Sequence, residues 1–261
     1  MKNNLARKIK VLLKARQIFQ NWTLYLRVYL KMVTAEHVIF QTKSGLKIKI
    51  RSNSTDLMAL TNVWLYEEYA SKNYKINNDD IIIDIGSHIG LFALYASQFC
   101  KNGKIYCFEP VKENYDMLIS NLKLNNITNV YPNNLAVSKT SDKVKIFLNE
   151  DKAGHSMFIE NAEHIEIDSI RLKEIFENNK IEKCDLLKLD CEGVEYEIID
   201  TLPESIANKI LNIILEYHFA NSKQELLYNL IKKLEKLLFK ITKKESSQEM
   251  GMIYAHKENL S

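Results

Sequence analysis

Four short stretches of the 261-residue chain carry residue types that can do chemistry. The first, Asp84-Ile85-Gly86-Ser87-His88-Ile89-Gly90, sets an acid and two glycines into the front of an otherwise apolar run. Gly86 permits a sharp turn with no Cβ beside a ligand, and Gly90 permits the following helix to sit close on the strand. A strand entering a helix through such a turn offers backbone N–H groups to a ligand. A dinucleotide loop would need G-x-G-x-x-G, and His88 and Leu91 stand where its second and third glycines belong, which disfavours NAD. The second stretch ends a strand on Glu109, whose carboxylate can accept hydrogen bonds from both hydroxyls of a ribose. A nucleoside without a pyrophosphate fits these two features. The third and fourth, Asp190-Cys191-Glu192 and His218 in "LEYHF", place two carboxylates and an imidazole at strand ends. The carboxylates either handle cofactor, substrate or proton, or cap the next helix. Hard oxygens also suit magnesium, although no metal is assigned. His218 reads equally as a base and as a satisfied rim histidine.

These residues need a scaffold that brings strand ends together. Apolar strands are expected at 80–85, 104–109, 129–137, 184–190 and 209–217, alternating with helices at 88–100, 112–125, 170–179, 194–201 and 223–237. A polar hairpin around 143–148 and a short strand at 163–167 interrupt the series, and "FKITKK" with "MGMIYAHK" closes it. That alternation implies an α/β fold, a mainly parallel sheet with helices on both faces and an antiparallel C-terminal hairpin. In such a sheet the ligand lies outside the carboxyl ends of the strands. Upstream stand a hairpin at 37–51 turning about Lys43-Ser44-Gly45 and a helix at 55–72 opened by a Thr55 or Asp56 cap. The partition is therefore an N-terminal helix, hairpin and cap helix over 1–72 and a ligand-binding domain over 73–261.

Composition is that of an ordinary soluble chain, 46% hydrophobic and 26% charged. The longest apolar run, Ile81 to Cys100, is interrupted by Asp84 and His88 and does not read as a membrane span; Lys14 and Arg16 break up any secretory core. The four cysteines show no C-x-x-C spacing and read as reduced core filling. Residues 1–35 hold eight cations (Lys2, Arg7, Lys8, Lys10, Lys14, Arg16, Arg27, Lys31) and no acid, so with a total of +3 the remainder carries −5. A mildly acidic body is a poor surface for polynucleotides. Leu5, Ile9, Leu12 and Phe19 recur at helical spacing opposite Arg7, Lys10 and Lys14. Such a face docks on the catalytic domain or a second subunit, or lies on an anionic membrane. The location expected is cytoplasmic, with peripheral contact at the inner membrane face as the variant.

D-x-G-x-x-x-G followed by an acid ending the next strand resembles a class I S-adenosylmethionine-dependent methyltransferase. "IDIGSHIGLFALYAS", "IYCFEPVKENYDMLISNLKLNN", "NLAVS" and above all "CDLLKLDCEGVEYEIID" resemble the FkbM-type family, whose K-x-D-x-E-G-x-E motif here reads Lys188 to Glu195. The likeness covers about 55–256, and the lead-in resembles archaeal and bacterial members. His88 stands where Asn is commoner and Cys191 where Val is commoner. The resemblance implies a Rossmann-like seven-stranded fold, S-adenosylmethionine as cofactor and O-methylation of a hydroxyl on a sugar, glycan or secondary metabolite. It assigns Asp84, Gly86, Ser87, His88, Gly90, Glu109, Asn134 and Asp190 to the cofactor, with Asn134 facing adenine, and Asp190, Glu192 and His218 to catalysis.

In-line methyl transfer requires the acceptor oxygen to be aligned and deprotonated, work suited to a rim acid pair and an imidazole. The reading favoured here has the acids position the acceptor while His218 takes its proton near pH 6.5. Glu195, Glu197 and Asp200 read as a solvated helix face, and His155 as a solvated loop residue. A nucleic-acid amino-methyltransferase would show an Asn- or Asp-Pro-Pro-aromatic stretch, which is absent. Two non-enzyme readings are a cofactor-binding regulator with a lapsed centre and a membrane-surface adaptor; the intact acid pair opposes the first and the complete nucleotide-type core the second.

Overall fold

The computed structural model describes residues 2–71, 73–147 and 164–258. The chain opens with helices α1 (Lys2–Ile18) and α2 (Thr23–Tyr29), followed by an antiparallel hairpin of β1 (His37–Gln41) and β2 (Lys47–Arg51). Helix α3 (Asp56–Leu60) continues as a single π-helical turn, Thr61–Leu65. The alternating part then runs β3 (Ile81–Ile85), α4 (Leu91–Ala96), β4 (Lys104–Phe108), α5 (Lys112–Leu124) and β5 (Val130–Asn133). Short β6 (Ala136–Val137), β7 (Lys143–Phe147) and β8 (His164–Ile170) form a separate small sheet. The chain closes with α6 (Leu172–Asn178), β9 (Leu186–Leu189), α7 (Glu195–Asp200), α8 (Glu204–Ala207), β10 (Asn212–Tyr217), α9 (Gln224–Lys236), β11 (Lys240–Glu245) and β12 (Gly251–His256).

The seven-stranded sheet has the order β11-β12-β10-β9-β3-β4-β5. Five strands are parallel, and β12 runs antiparallel between β10 and β11. This is the doubly wound arrangement expected from the alternation. Strands β3 and β9 are buried almost end to end, as a sheet covered on both faces requires. One apolar layer joins Ile82, Leu94 and Leu118 to Phe19, Phe40, Ile48 and Trp64 of the N-terminal elements; the other joins Ile83, Leu187 and Leu215 to Phe176, Ile199 and Leu234. The order of filling reverses between β3 and its parallel neighbour β9, the chain running outward from β3 through β4 to β5 and returning to β9, so the carboxyl ends of these two strands open a crevice.

Several elements differ from expectation. The helix expected over 55–72 stops at Leu65, because Thr61 bonds back to the Leu57 carbonyl at 2.7 Å and accepts Tyr66 N–H five residues on, widening the turn. Asp56 does not serve as a simple cap: it is buried and takes Arg51 Nε and Nη2 at 2.9 and 2.8 Å. The strand expected over 129–137 divides into β5 and β6 around Asn134. The expected hairpin at 143–148 is instead one strand, β7, paired with β8 from Lys143↔Asp168 to Phe147↔His164. His155 and most of the 150–165 loop fall outside the described residues. Gly90 does bring a helix close, but to another helix: a Cβ there would meet Leu118 Cδ1 of α5 at 2.3 Å, rather than the strand.

Candidate active site

The crevice is lined from the body by Gly86, Ser87, His88, Glu109, Asp190, Glu192, Glu216 and His218, and from the N-terminal elements by Thr55, Met58, Asn62 and Tyr69. It is an open crevice, with about 1280 Å³ of non-atom space when the solvent at its mouth is counted.

The loop after β3 is held by its neighbours. Gly86 adopts φ +75°, and a Cβ on it would lie 1.7 Å from the Asp190 carbonyl oxygen, so only glycine lets the ends of β3 and β9 approach this closely. The backbone N–H groups of Gly86 and Ser87 both donate to the Phe108 carbonyl, at 3.0 and 3.1 Å. Ser87 Oγ donates to the Asp84 carbonyl and accepts Phe108 N–H, tying the loop to β4. His88 also has a positive φ, 50°; its N–H donates to Glu109 Oε2 at 2.8 Å. Burial lowers the His88 pKa to about 4, Asp56 opposing and Arg51 assisting, so its ring is neutral and faces the crevice.

Glu109 is 5% exposed, and burial pushes its carboxyl up to about 7 against hydrogen bonds from Val111 N–H, His88 N–H and Asn114. Two carboxylate oxygens offer about four acceptor sites, and these three donors leave about one, on Oε2, for a ribose hydroxyl. Asp84 lies beneath the loop rather than on the crevice wall. Its carboxylate accepts Lys188 Nζ at 2.9 Å, with both side chains buried. Lys188 also donates to the Gly86 carbonyl at 3.2 Å and sits over the Tyr69 ring at 4.9 Å. Burial alone would lower its pKa, but the charges of Asp84 and Asp190 raise it. Asp84 thus fixes the loop through a buried ion pair. Asn134 likewise stands back from the wall, and its amide donates to the Glu109 and Pro110 carbonyls at 2.9 and 2.8 Å, shaping the turn that carries Glu109.

At the other end of the crevice the acid pair and the histidine come together. His218 Nε2 lies 3.6 Å from Glu192 Oε2 and 4.0 Å from Asp190 Oδ1. Its Nδ1 is 3.1 Å from Glu195 Oε1, the oxygen that also accepts His218 N–H at 3.0 Å. Burial would depress this imidazole, yet the hydrogen bond to Glu195 and the charges of Glu195, Glu192 and Asp190 push it up to about 10. The Glu195 hydrogen bond and the surrounding carboxylates favour the imidazolium over the free base that a proton-accepting role near pH 6.5 needs. Glu192 adopts φ 53° and points to the same place, and burial pushes its carboxyl up to about 7 against the pull of His218. Asp190 is oriented by Tyr69, whose hydroxyl donates to Oδ2 at 2.6 Å. One donor atom each from Asp190, Glu192 and His218 lie within 4.8 Å of one another, the set among the described residues that is able to hold a metal ion.

Three participants escape a reading of sequence. Glu195 is fully buried, not on a solvated face: besides His218 it accepts Gly193 N–H at 2.7 Å, clamping the turn after β9 to the end of β10. Glu216 lines the crevice with its carboxyl pushed up to about 8 by burial and by Asp190. A lone acid inside Ile213-Ile214-Leu215-Glu216 was a visible signal for it. Tyr69 carried no such signal. All four thiols are pushed up by burial, which fits core filling.

The site fits S-adenosylmethionine on two structural grounds: the turn Gly86-Ser87-His88 lines the crevice, and the buried Glu109 carboxylate on the same wall keeps an acceptor site for a ribose hydroxyl. The sequence profile of the Methyltransferase FkbM domain matches residues 84–241, more than half of the chain. "Methyltransferase sdnD" of Sordaria araneosa is 25% identical over 190 residues, 59% of this chain and 73% of that one. "Hexuronic acid methyltransferase AglP" of Haloferax volcanii is 25% identical over 140 residues, covering 54% of this chain but only 56% of its own length. The solved methyltransferase FkbM of Methylobacillus flagellatus shares the fold, with a TM-score of 0.51 at 15% identity over 77% of this chain and 53% of that one. Among the described residues no helix is long and apolar enough to cross a membrane. The chain belongs to the FkbM methyltransferase family, whose methyl donor is S-adenosylmethionine.

Proposed function

We propose that this protein methylates a hydroxyl oxygen of a sugar, glycan or secondary metabolite, with residues 73–261 as the cofactor-binding unit and residues 1–72 as its cap. The observation that carries the reading is the convergence of Asp190, Glu192 and His218 on the crevice wall, with Glu192 Oε2 3.6 Å from His218 Nε2 and burial pushing the Glu192 carboxyl up to about 7. A general base works best when its pKa lies near the operating pH. A relative named for hexuronic acid supports a carbohydrate acceptor.

S-adenosylmethionine supplies, when bound, a methyl group on a positively charged sulfur. Glu109 grips the ribose, and the loop from Gly86 to His88 meets the amino-acid arm. Asp190, oriented by Tyr69, accepts a hydrogen bond from the acceptor and aligns it. Glu192 takes the acceptor's proton as the oxygen–carbon bond forms and the carbon–sulfur bond breaks, leaving a methyl ether and a neutral thioether. His218 stays charged and offsets the Asp190, Glu192 and Glu195 carboxylates.

The test is incubation with S-adenosylmethionine and a panel of sugars, uronic acids and aliphatic and phenolic alcohols, with S-adenosylhomocysteine and methylated product followed by mass spectrometry. The expected result is product carrying one methyl on oxygen. Tight cofactor binding with no product from any class of acceptor would instead establish the regulator reading.

A further inference from the structure

We infer that the N-terminal helical pair is a docking surface for an anionic lipid membrane, a role separate from the methyl-transfer chemistry. The pair does two things with its apolar residues. Val11, Ala15, Phe19, Tyr25 and Val28 are buried against the body, which accounts for its attachment. A second apolar set faces solvent: Ile9 and Leu13 on α1 are 49% and 56% exposed, and Leu30 and Met32 at the end of α2 are 53% and 64% exposed. Lys8 Nζ stacks over the Tyr29 ring at 5.5 Å, which brings the start of α1 beside the end of α2 and so joins the two exposed sets.

The charges around this patch name its partner. Residues 1–35 contain eight cations and no acid, in a chain whose remainder is net acidic. Lys8, Lys10, Arg16, Arg27 and Lys31 are exposed around the apolar set. Protruding apolar side chains ringed by lysine and arginine complement a surface that is negative outside and hydrocarbon within, and each cation adds to the attraction for anionic lipid. A second copy of the chain would bring the same cations face to face, which opposes self-association through this patch. The surface also adjoins the crevice. Arg7 Nε donates to Tyr66 at 2.9 Å and Lys14 pairs with Glu67 at 3.4 Å, while Tyr69 of the same turn holds Asp190. Lipid contact at α1 therefore bears on a turn that forms the crevice wall.

The experiment uses the full chain, with vesicles of equal parts phosphatidylglycerol and phosphatidylcholine beside vesicles of phosphatidylcholine alone. Co-sedimentation is expected to be at least about tenfold greater on the anionic vesicles and to fall steeply in roughly 0.5 M salt. The double variant Leu13→Glu/Met32→Glu is expected to lose sedimentation while binding S-adenosylhomocysteine as the parent does, since both side chains are exposed and neither lines the crevice. Equal pelleting on the two vesicle types, or undiminished pelleting of the double variant, overturns the inference. So does a concentration-dependent dimer that the double variant abolishes, which would make a second copy the occupant.

Discussion

Gly86→Ala separates two effects that glycine substitutions usually confound, because the chain carries its own control. At Gly86 an added Cβ would sit 1.7 Å from the Asp190 carbonyl oxygen, whereas at Gly45, with φ +96°, it would meet nothing within 4 Å. Both positions impose left-handed backbone on alanine, a strain of about 1–2 kcal/mol. Only Gly86→Ala must also move something: reaching even 3.0 Å requires a displacement of 3.0 − 1.7 = 1.3 Å between the ends of β3 and β9. That movement strains the hydrogen bond from Asp190 N–H to the Ile85 carbonyl, now 3.0 Å, whose loss adds about 1 kcal/mol. Urea denaturation should therefore show Gly45→Ala destabilised by about 1–2 kcal/mol and Gly86→Ala by about 2–3 kcal/mol. Calorimetry with S-adenosylhomocysteine should show wild-type affinity for the first and a loss of about tenfold or more for the second, since a tenfold change needs only about 1.4 kcal/mol. Equal stability losses with equal affinities would refute the claim that Gly86 is there for close approach.

Lys188→Met should destabilise the fold by about 3–5 kcal/mol in urea, because it leaves Asp84 buried without its cation, and adding Asp84→Asn to it should recover part of that loss. Methyl transfer should rise with pH through about 7 as Glu192 ionises, and Glu192→Gln should reduce turnover by roughly 10²–10⁴-fold while S-adenosylhomocysteine affinity changes little. His218 is raised in the fold to about 10, so the stability it contributes is full below its unfolded value near 6.5 and is lost as pH rises through 10; Glu195→Gln should flatten that dependence in denaturation curves taken at several pH values. Turnover in excess chelator should match turnover in its absence, because the imidazolium already supplies the positive charge among Asp190, Glu192 and Glu195; a chelator-sensitive rate restored by magnesium would overturn that role.

What sequence could show here follows from the range of the forces involved. Strands β3, β4, β9 and β10 announce themselves because burial on both faces demands runs of Ile, Leu and Val, and Gly86 and Glu109 because a turn and a diol each demand one residue type. The charge state of His218 has no such local cause. It depends on Glu195 reaching across from α7 and on Asp190 and Glu192 converging from the end of β9, contacts that push the imidazole above its ordinary value and that no local pattern announces. Glu195 was misplaced for a related reason: a helix of six residues with acids at both ends looks solvated until the strand it packs on is known. Asp84 is read as a ligand contact because it opens the glycine loop, and Asn134 because the matching family position faces adenine, whereas in space Lys188 holds the first and two backbone carbonyls the second.

The distribution of the crevice wall bears on where acceptor choice resides. The family domain accounts for the cofactor loop, the ribose acid and the acid–imidazole cluster, all within 84–241. Thr55, Met58, Asn62 and Tyr69 come from before that range and Met250 from after it, yet they line the same crevice. Tyr69 is more than a wall, since its hydroxyl sets the rotamer of Asp190 and its ring, with Phe92, covers Lys188. The N-terminal elements thus orient Asp190 of the acid–imidazole cluster through one 2.6 Å hydrogen bond, while Met58 and Asn62 add an apolar and a polar side chain to the crevice wall a few residues apart. Chemistry built on strand ends and selectivity built on flanking segments can therefore change independently of one another.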